Sequence, residues 1–211
     1  MATLTSSSGH VRRYSREGSV VFRKTREEWG GLSNMASGYP ILIGEVVVPS
    51  SEALYQALRF PHMPEVQERI ISQNSGMSAK MAGKPFRSQS RADWEQVRVG
   101  LMRWCLRAKL LHNWDEFGQL LLSTEQSDIV EDSHKDSYWG AIPQDDSTLM
   151  GCNVLGRLLM ELREQLVSRP DTLSELEPPG IPDCLFLGAH LPTLERVDRL
   201  QPDGQLMMEL E

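Results

Sequence analysis

Between Ser90 and Leu111 the apolar residues Trp94, Val97, Leu101, Trp104, Cys105, Ala108 and Leu111 recur every three or four positions. That spacing lays one broad apolar stripe along a helix beginning near Ser90 or Asp93. A helix so long and one-sided has to be covered, so the rest of the chain must build a core against it. A second stripe, Leu155, Leu158, Leu159, Leu162 and Leu166, predicts a helix over about 153–168. Shorter helices are expected at "SSEALYQALRF", with a serine N-cap and a stop before Pro61, and at "PEVQERIIS", with Pro64 in its first turn. "GMSAKMAG", ended by Gly83, and "DEFGQLLLST" add two more.

The strand signals are fewer. "SVVFRKT" reads as a strand followed by a turn at "WGGLSN", and "YPILIGEVVVPS" as a hairpin about Gly44. "DIVEDS" is a short extended segment. The expected fold class is therefore α+β, a mainly helical single domain with a small antiparallel β element. With 211 residues, one domain plus appendages is the natural division. Residues 1–18, Ser- and Arg-rich, are expected to form a flexible arm, residues 19–168 the domain, and residues 169–211 an acidic, Pro-rich appendage. That appendage holds six of the twelve prolines and nine acids against three bases. Its apolar "DCLFLGAHL" and the Asp-Gly pair in "DRLQPDGQL" suggest short strands.

Charge is unevenly spread. The formal net charge is −7, yet Lys80–Lys109 carries eight bases and two acids. Such a run contacts phosphates or forms a solvated helix face. The acidic appendage is expected to pack away from it. No apolar stretch follows the N-terminus, so neither a signal peptide nor a membrane partner is expected. Three widely spaced cysteines suggest free thiols and a cytoplasmic protein.

Several chemistries lack their residues. The five histidines show no HExxH spacing, no serine lies in a GxSxG context, and no glycine-rich phosphate loop occurs. No metal and no cofactor are expected. "GCNVLG" offers helix-start amides or merely a turn. Glu52 lies in the first turn of a helix, where a carboxylate suits the macrodipole or serves catalysis. Asp136, in "HKDSYWGAIPQDD", is a turn aspartate or a catalytic carboxylate, and Trp94 and Trp139 are core aromatics or stacking surfaces. A cation module around Glu131, Asp132, Asp136, Asp145 and Asp146 is a further reading.

Five blocks in a fixed order separate these alternatives. They are "GGLSNM", "SSEALYQALRF", "DWEQVRVGLMRWCLRAK", "LLSTEQSDIVEDSHKDSYWG" and "GCNVLGRLLMELREQL". Together they resemble the NADAR superfamily of YbiA-like proteins over about 150 residues. The resemblance implies a mainly helical N-glycosidase without a required metal, hydrolysing a bond between ribose C1 and nitrogen. It implies Glu52 and Asp136 as the catalytic carboxylates. The substrate-binding positions carried over are Ser33, Asn34, Gln56, Trp94, Trp139, Gly151 and Asn153. Tyr138 and Gly140 belong to the same block, and Arg59, Lys80 and Lys84 are the expected phosphate contacts. Two departures stand out: Ala53 replaces the histidine that follows the family glutamate, and "AIPQDDSTLMGC" replaces a Gly/Lys-rich link. Both favour a bulkier substrate than a riboflavin precursor. The leading expectation is an ADP-ribosyl glycohydrolase acting on ADP-ribosylated guanine in DNA, with an operon-linked ADP-ribosyltransferase toxin as its counterpart. The alternatives are hydrolysis of riboflavin-pathway intermediates, or a non-catalytic module that binds ADP-ribose or another ADP-ribose-containing small molecule.

Overall fold

The structure, a computed structural model, describes residues 10–197. In chain order the described residues form β1 (Arg12–Ser15), β2 (Ser19–Phe22), β3 (Ile41–Ile43), β4 (Val46–Val48), α1 (Ser51–Ala57), α2 (Pro64–Ile71), α3 (Gly76–Gly83), α4 (Trp94–His112) and α5 (Trp114–Leu122). There follow β5 (Asp128–Glu131), β6 (Ile142–Pro143), β7 (Thr148–Gly151), α6 (Val154–Ser168), β8 (Glu175–Leu176), β9 (Leu185–Phe186), β10 (Ala189–His190) and β11 (Leu194–Glu195). The α+β, mainly helical class follows.

α4 is the axis of the core. Its stripe residues Leu101, Trp104, Cys105, Ala108 and Leu111 are buried, and it packs on α1, α5, α6 and β3. Leu54 and Leu58 from α1 and Leu155, Leu159 and Leu162 from α6 fill the same cluster. Local signals set the ends as expected. Ser50 Oγ accepts the Ala53 amide at 3.2 Å, Pro64 opens α2, and Gly44 turns the β3–β4 hairpin at φ +61°.

Three features depart from the sequence reading. β2 and β5 pair in parallel, Val20 opposite Ile129, so not all of the β structure is antiparallel. A parallel pair needs a long crossover, and here helices α1 to α5 supply it. Arg12–Ser15, within the expected arm, is paired with β7, and Tyr14 is buried beside Val130, Ala141 and Leu149. The acidic appendage does not keep clear of the 80–109 run: β8 and β11 pack on α4 itself. The reason is apolar cover. Leu173, Leu176, Phe186, Leu191 and Leu194 are buried in the same cluster as α4. The Asp-Gly pair at 203–204 lies outside the described residues.

Gln67 is the clasp of this C-terminal strap. Fully buried on α2, its amide donates to the carbonyls of Ala57 (3.1 Å) and Leu185 (2.9 Å), and its oxygen accepts the Leu187 amide (2.6 Å). Gln67→Leu removes these three hydrogen bonds, leaving the Leu187 amide without its acceptor while the Ala57 carbonyl keeps the Phe60 amide, and should cost about 1–3 kcal/mol. Urea unfolding of variant and wild type measures it; an unchanged midpoint would remove Gln67 from this role.

Candidate active site

The site begins where a turn meets a helix. The backbone oxygen of Asn34 accepts the amide of Glu52 (2.9 Å) and the hydroxyl of Ser51 (3.1 Å), fastening the "GGLSN" turn to the first turn of α1. Beneath the turn, the fully buried Lys109 donates to the carbonyls of Gly31 and Ser33 and lies 4.3 Å from the Tyr39 ring centre and 4.1 Å from that of Phe117. Burial holds its ammonium pKa well below the usual lysine value. Ser33 therefore contributes its backbone to this anchor, while its hydroxyl accepts the Met35 amide at 3.2 Å.

Glu52 is the centre of the arrangement. Its side chain is 2% exposed; one oxygen accepts the Asn34 amide group and the other that of Gln56 at 2.8 Å, one helical turn on. Burial pushes its pKa up from 4.5 to about 7, partly opposed by Lys80, the Gln56 hydrogen bond and Arg87. Asn34 and Gln56 thus converge on Glu52, and the charge of Lys80 acts on it without a hydrogen bond. Lys84 is exposed at the start of the following 3-10 turn, outside this convergence.

A second carboxyl was not singled out by sequence for chemistry. Glu131, at the end of β5, is also pushed up to about 7, by burial first and then by the charges of Asp136 and Glu52. Asn153 sets its backbone: the Asn153 side chain accepts the Glu131 amide (3.1 Å) and donates to the Ile129 carbonyl (2.8 Å). A Cβ at Gly140 would lie 2.6 Å from the Glu131 carbonyl oxygen, and one at Gly151 2.5 Å from that of Gly140. Gly140, Gly151 and Asn153 thus let the 129–153 segments pack closely behind Glu131. Asp136 has one oxygen engaged by the amides of Tyr138 (3.0 Å) and Trp139 (2.9 Å), so it also shapes the turn that presents these rings.

The rings form a continuous row. Trp94 and Tyr55 lie 5.0 Å apart between centres, Tyr55 and Trp139 5.7 Å, and Trp139 and Tyr138 5.4 Å. Arg59 lies 4.6 Å over Trp94, and Arg98 3.8 Å over Tyr138. Tyr55 and Arg98 were missed because one occupies an apolar helix face and the other reads as a solvated base. Glu131 had a signal, its place in "DIVEDS" within the fourth of the five blocks. The run of bases on 80–109 is dispersed by its own geometry: Arg91 pairs with Asp93, Arg103 with Glu161, and Lys109 is interior.

The acids of the cation reading do not gather. Asp132 pairs with Arg16 at 2.6 Å and Asp145 with Arg13 at 3.8 Å; among the described residues no group of three or more His, Cys, Asp or Glu is placed to hold a metal. Also among them, no helix is long and apolar enough to cross a membrane. Cys105, Cys152 and Cys184 are buried, and none of them forms a disulfide.

Residues 21–167 match the family model described as the NADAR domain. The chain belongs to the NADAR family. Its NADAR relatives include the N-glycosidase YbiA of Escherichia coli, 37% identical over 147 residues, covering 70% of this chain and 88% of that protein. A riboflavin biosynthesis protein of Vibrio vulnificus is 34% identical over 158 residues, which cover 74% of this chain and 41% of that protein. An N-glycosidase of Nostoc punctiforme is 30% identical over 149 residues, covering 70% and 92%. The NMR structure of E. coli YbiA superposes with a TM-score of 0.60 at 34% sequence identity, covering 77% of this chain and 95% of that one. Membership and these relatives support a hydrolase of N-glycosidic bonds. The two NADAR departures are less open than their sequence suggested. Ala53 is wholly buried in the core, and 141–152 forms β6 and β7 beside β1.

A buried carboxyl whose folded pKa is raised makes stability fall with pH. Between about 4.5 and about 7 the folded state keeps the Glu52 proton that the unfolded chain has lost, so the loss is complete above about 7. Glu52→Gln should therefore be more stable than wild type at pH 8, by up to about 3 kcal/mol, and no more stable at pH 4. Urea midpoints at both pH values test this; a variant destabilised at pH 8 would contradict it.

Proposed function

We propose that the chain is an N-glycosidase that removes ADP-ribose from ADP-ribosylated guanine in DNA. The observation that carries the reaction is the pair of carboxyls, buried Glu52 and half-buried Glu131, each raised to about 7 and each feeling the charge of Lys80. In hydrolysis, water oxygen bonds to ribose C1, the C1–N bond breaks, and its electron pair leaves with the base nitrogen. One carboxylate takes the water proton and steadies the positive charge growing at C1; the other, still protonated, supplies a proton to the leaving nitrogen. Two coupled acids near neutrality suit this division, since one is charged while the other is not. Asp136 acts through its neighbours, holding Tyr138 and Trp139 in place and raising Glu131.

The substrate class rests on the ring row and its cations. Trp139 and Tyr138 offer stacking faces for a base or for adenine, and Arg59, Lys80, Arg87 and Arg98 give more positive charge than a single phosphate uses. This supports a diphosphate-bearing or polyanionic substrate. An ADP-ribosyltransferase toxin encoded beside this chain would generate it. A second reading, hydrolysis of a riboflavin-pathway intermediate, is favoured by the name of the Vibrio vulnificus relative. Release of ADP-ribose from modified DNA, compared with release of ribose phosphate from riboflavin precursors, separates the two. Turnover of neither would leave a binding module.

Glu52→Gln should lower turnover by about 10²-fold or more. Wild-type kcat/KM should be bell-shaped with its optimum near pH 7, and Glu131→Gln should abolish one limb. Trp139→Ala should act mainly on KM, by roughly ten-fold, since a base stack is worth about 1–3 kcal/mol. A flat pH profile, or Glu52→Gln with wild-type turnover, would sink the assignment.

A further inference from the structure

We propose that a groove beside the aromatic row is a second subsite, which takes an unpaired nucleobase next to the modified guanine, and that the C-terminal strap is its outer wall. The proposal rests on the nucleic-acid reading above. The groove, about 690 Å³ in volume, is lined by Pro61, His62, Ser90, Ala92, Asp183 and Leu185 among others. That lies within the roughly 300–1,000 Å³ usual for small-ligand clefts. Pro182, Asp183 and Leu185 are outside the 21–167 segment shared with the family, so one wall is an addition to the common site.

Continuity comes from Arg59. Its Nε donates to Ser90 Oγ at 2.6 Å on the groove side, while its guanidinium lies over Trp94, which meets Tyr55 and through it Trp139. A chain of nucleotides with one base at the ring row would reach the groove across Arg59, whose charge suits the phosphate between them.

The lining chooses a base over a phosphate. Arg91, 8% exposed, is held by both oxygens of Asp93 (2.6 and 3.0 Å) and by the Pro182 carbonyl (2.8 Å), so its charge is already matched. With Asp93 matched by Arg91, Asp183 brings the remaining negative charge to the lining. Its carboxylate repels phosphate and can accept from the amino hydrogens of a base, while Pro61, Ala92, Pro182 and Leu185 offer apolar faces to the ring.

The wall is preformed. Gln67 holds Leu185 and Leu187, Arg91 holds Pro182, and the Trp104 indole donates to the Glu177 carbonyl at 2.8 Å. Asp183 and Leu187 both have φ of +51°, a left-handed backbone that L side chains rarely adopt. Those hydrogen bonds keep the strap in that shape before any ligand arrives.

The test uses the full chain and single-stranded pentanucleotides with a central guanine, unmodified for binding and ADP-ribosylated for hydrolysis. In each, the base on one side of the guanine is either present or removed to leave an abasic sugar. For the wild type, an abasic flank on one side should weaken binding and raise KM by about ten-fold, consistent with roughly 1–3 kcal/mol per stacked base. Ala92→Trp, a change at an exposed position that fills the groove, should bind both forms equally and weakly. His62→Ala should reduce the discrimination in part. Equal affinity of wild type for intact and abasic strands, no binding of either, or full discrimination by Ala92→Trp would overturn the subsite. Binding that discriminates without any release of ADP-ribose would keep the subsite and reject the proposed reaction. Hydrolysis indifferent to the flanking base would keep the reaction and reject the subsite.

Discussion

A carboxylate has been taken out of water at the start of α1, and much of the molecule is arranged around that fact. An isolated buried carboxylate is too costly to keep charged, so Glu52 must be given donors, a helix start, nearby cations and the option of a proton. Asn34 and Gln56 are the donors, and Lys80 and Arg87 supply charge at a distance. Burial still outweighs these, and the group comes to rest near neutrality. That is where an acid can both hold and release a proton at working pH.

The donors have to be held too. Asn34 belongs to a turn whose carbonyls are gripped by Lys109, and Lys109 sits on the buried stripe of α4. The same helix that organises the core thereby sets the height of the turn over α1. On the opposite side, Asn153 and the close approaches at Gly140 and Gly151 fix the strand end that carries Glu131. Core, turn and strand thus meet at two carboxyls, the charge of Glu52 helping to raise Glu131.

The helices were legible because their apolar spacing is a direct record of burial: the Trp94–Leu111 stripe, the Leu155–Leu166 stripe and the Ser50 cap all appear as read. The partner of β2 was not, since alternation says which face is buried and not which distant strand lies alongside. The strap was misjudged because its acids dominate its composition, whereas its position is decided by a few leucines and Phe186. Within the candidate site, Glu52, Trp94 and Trp139 were legible through the family blocks. Glu131 was quoted in a block but read only as a possible cation ligand, because one acid at a strand end carries no local sign of burial. Tyr55 and Arg98 looked like core and surface, and their part in the ring row depends on helix packing that no single segment encodes.

The central claim is that Glu52 is a buried, proton-retaining carboxyl coupled to Glu131, and a carboxyl ¹³C NMR titration measures it most directly. In protein labelled at the glutamate side-chain carbon, the account predicts midpoints near 7 for Glu52 and Glu131, the latter moving down when Glu52→Gln removes the neighbouring charge. A Glu52 midpoint at the ordinary value near 4.5, with Glu131 indifferent to residue 52, would contradict it.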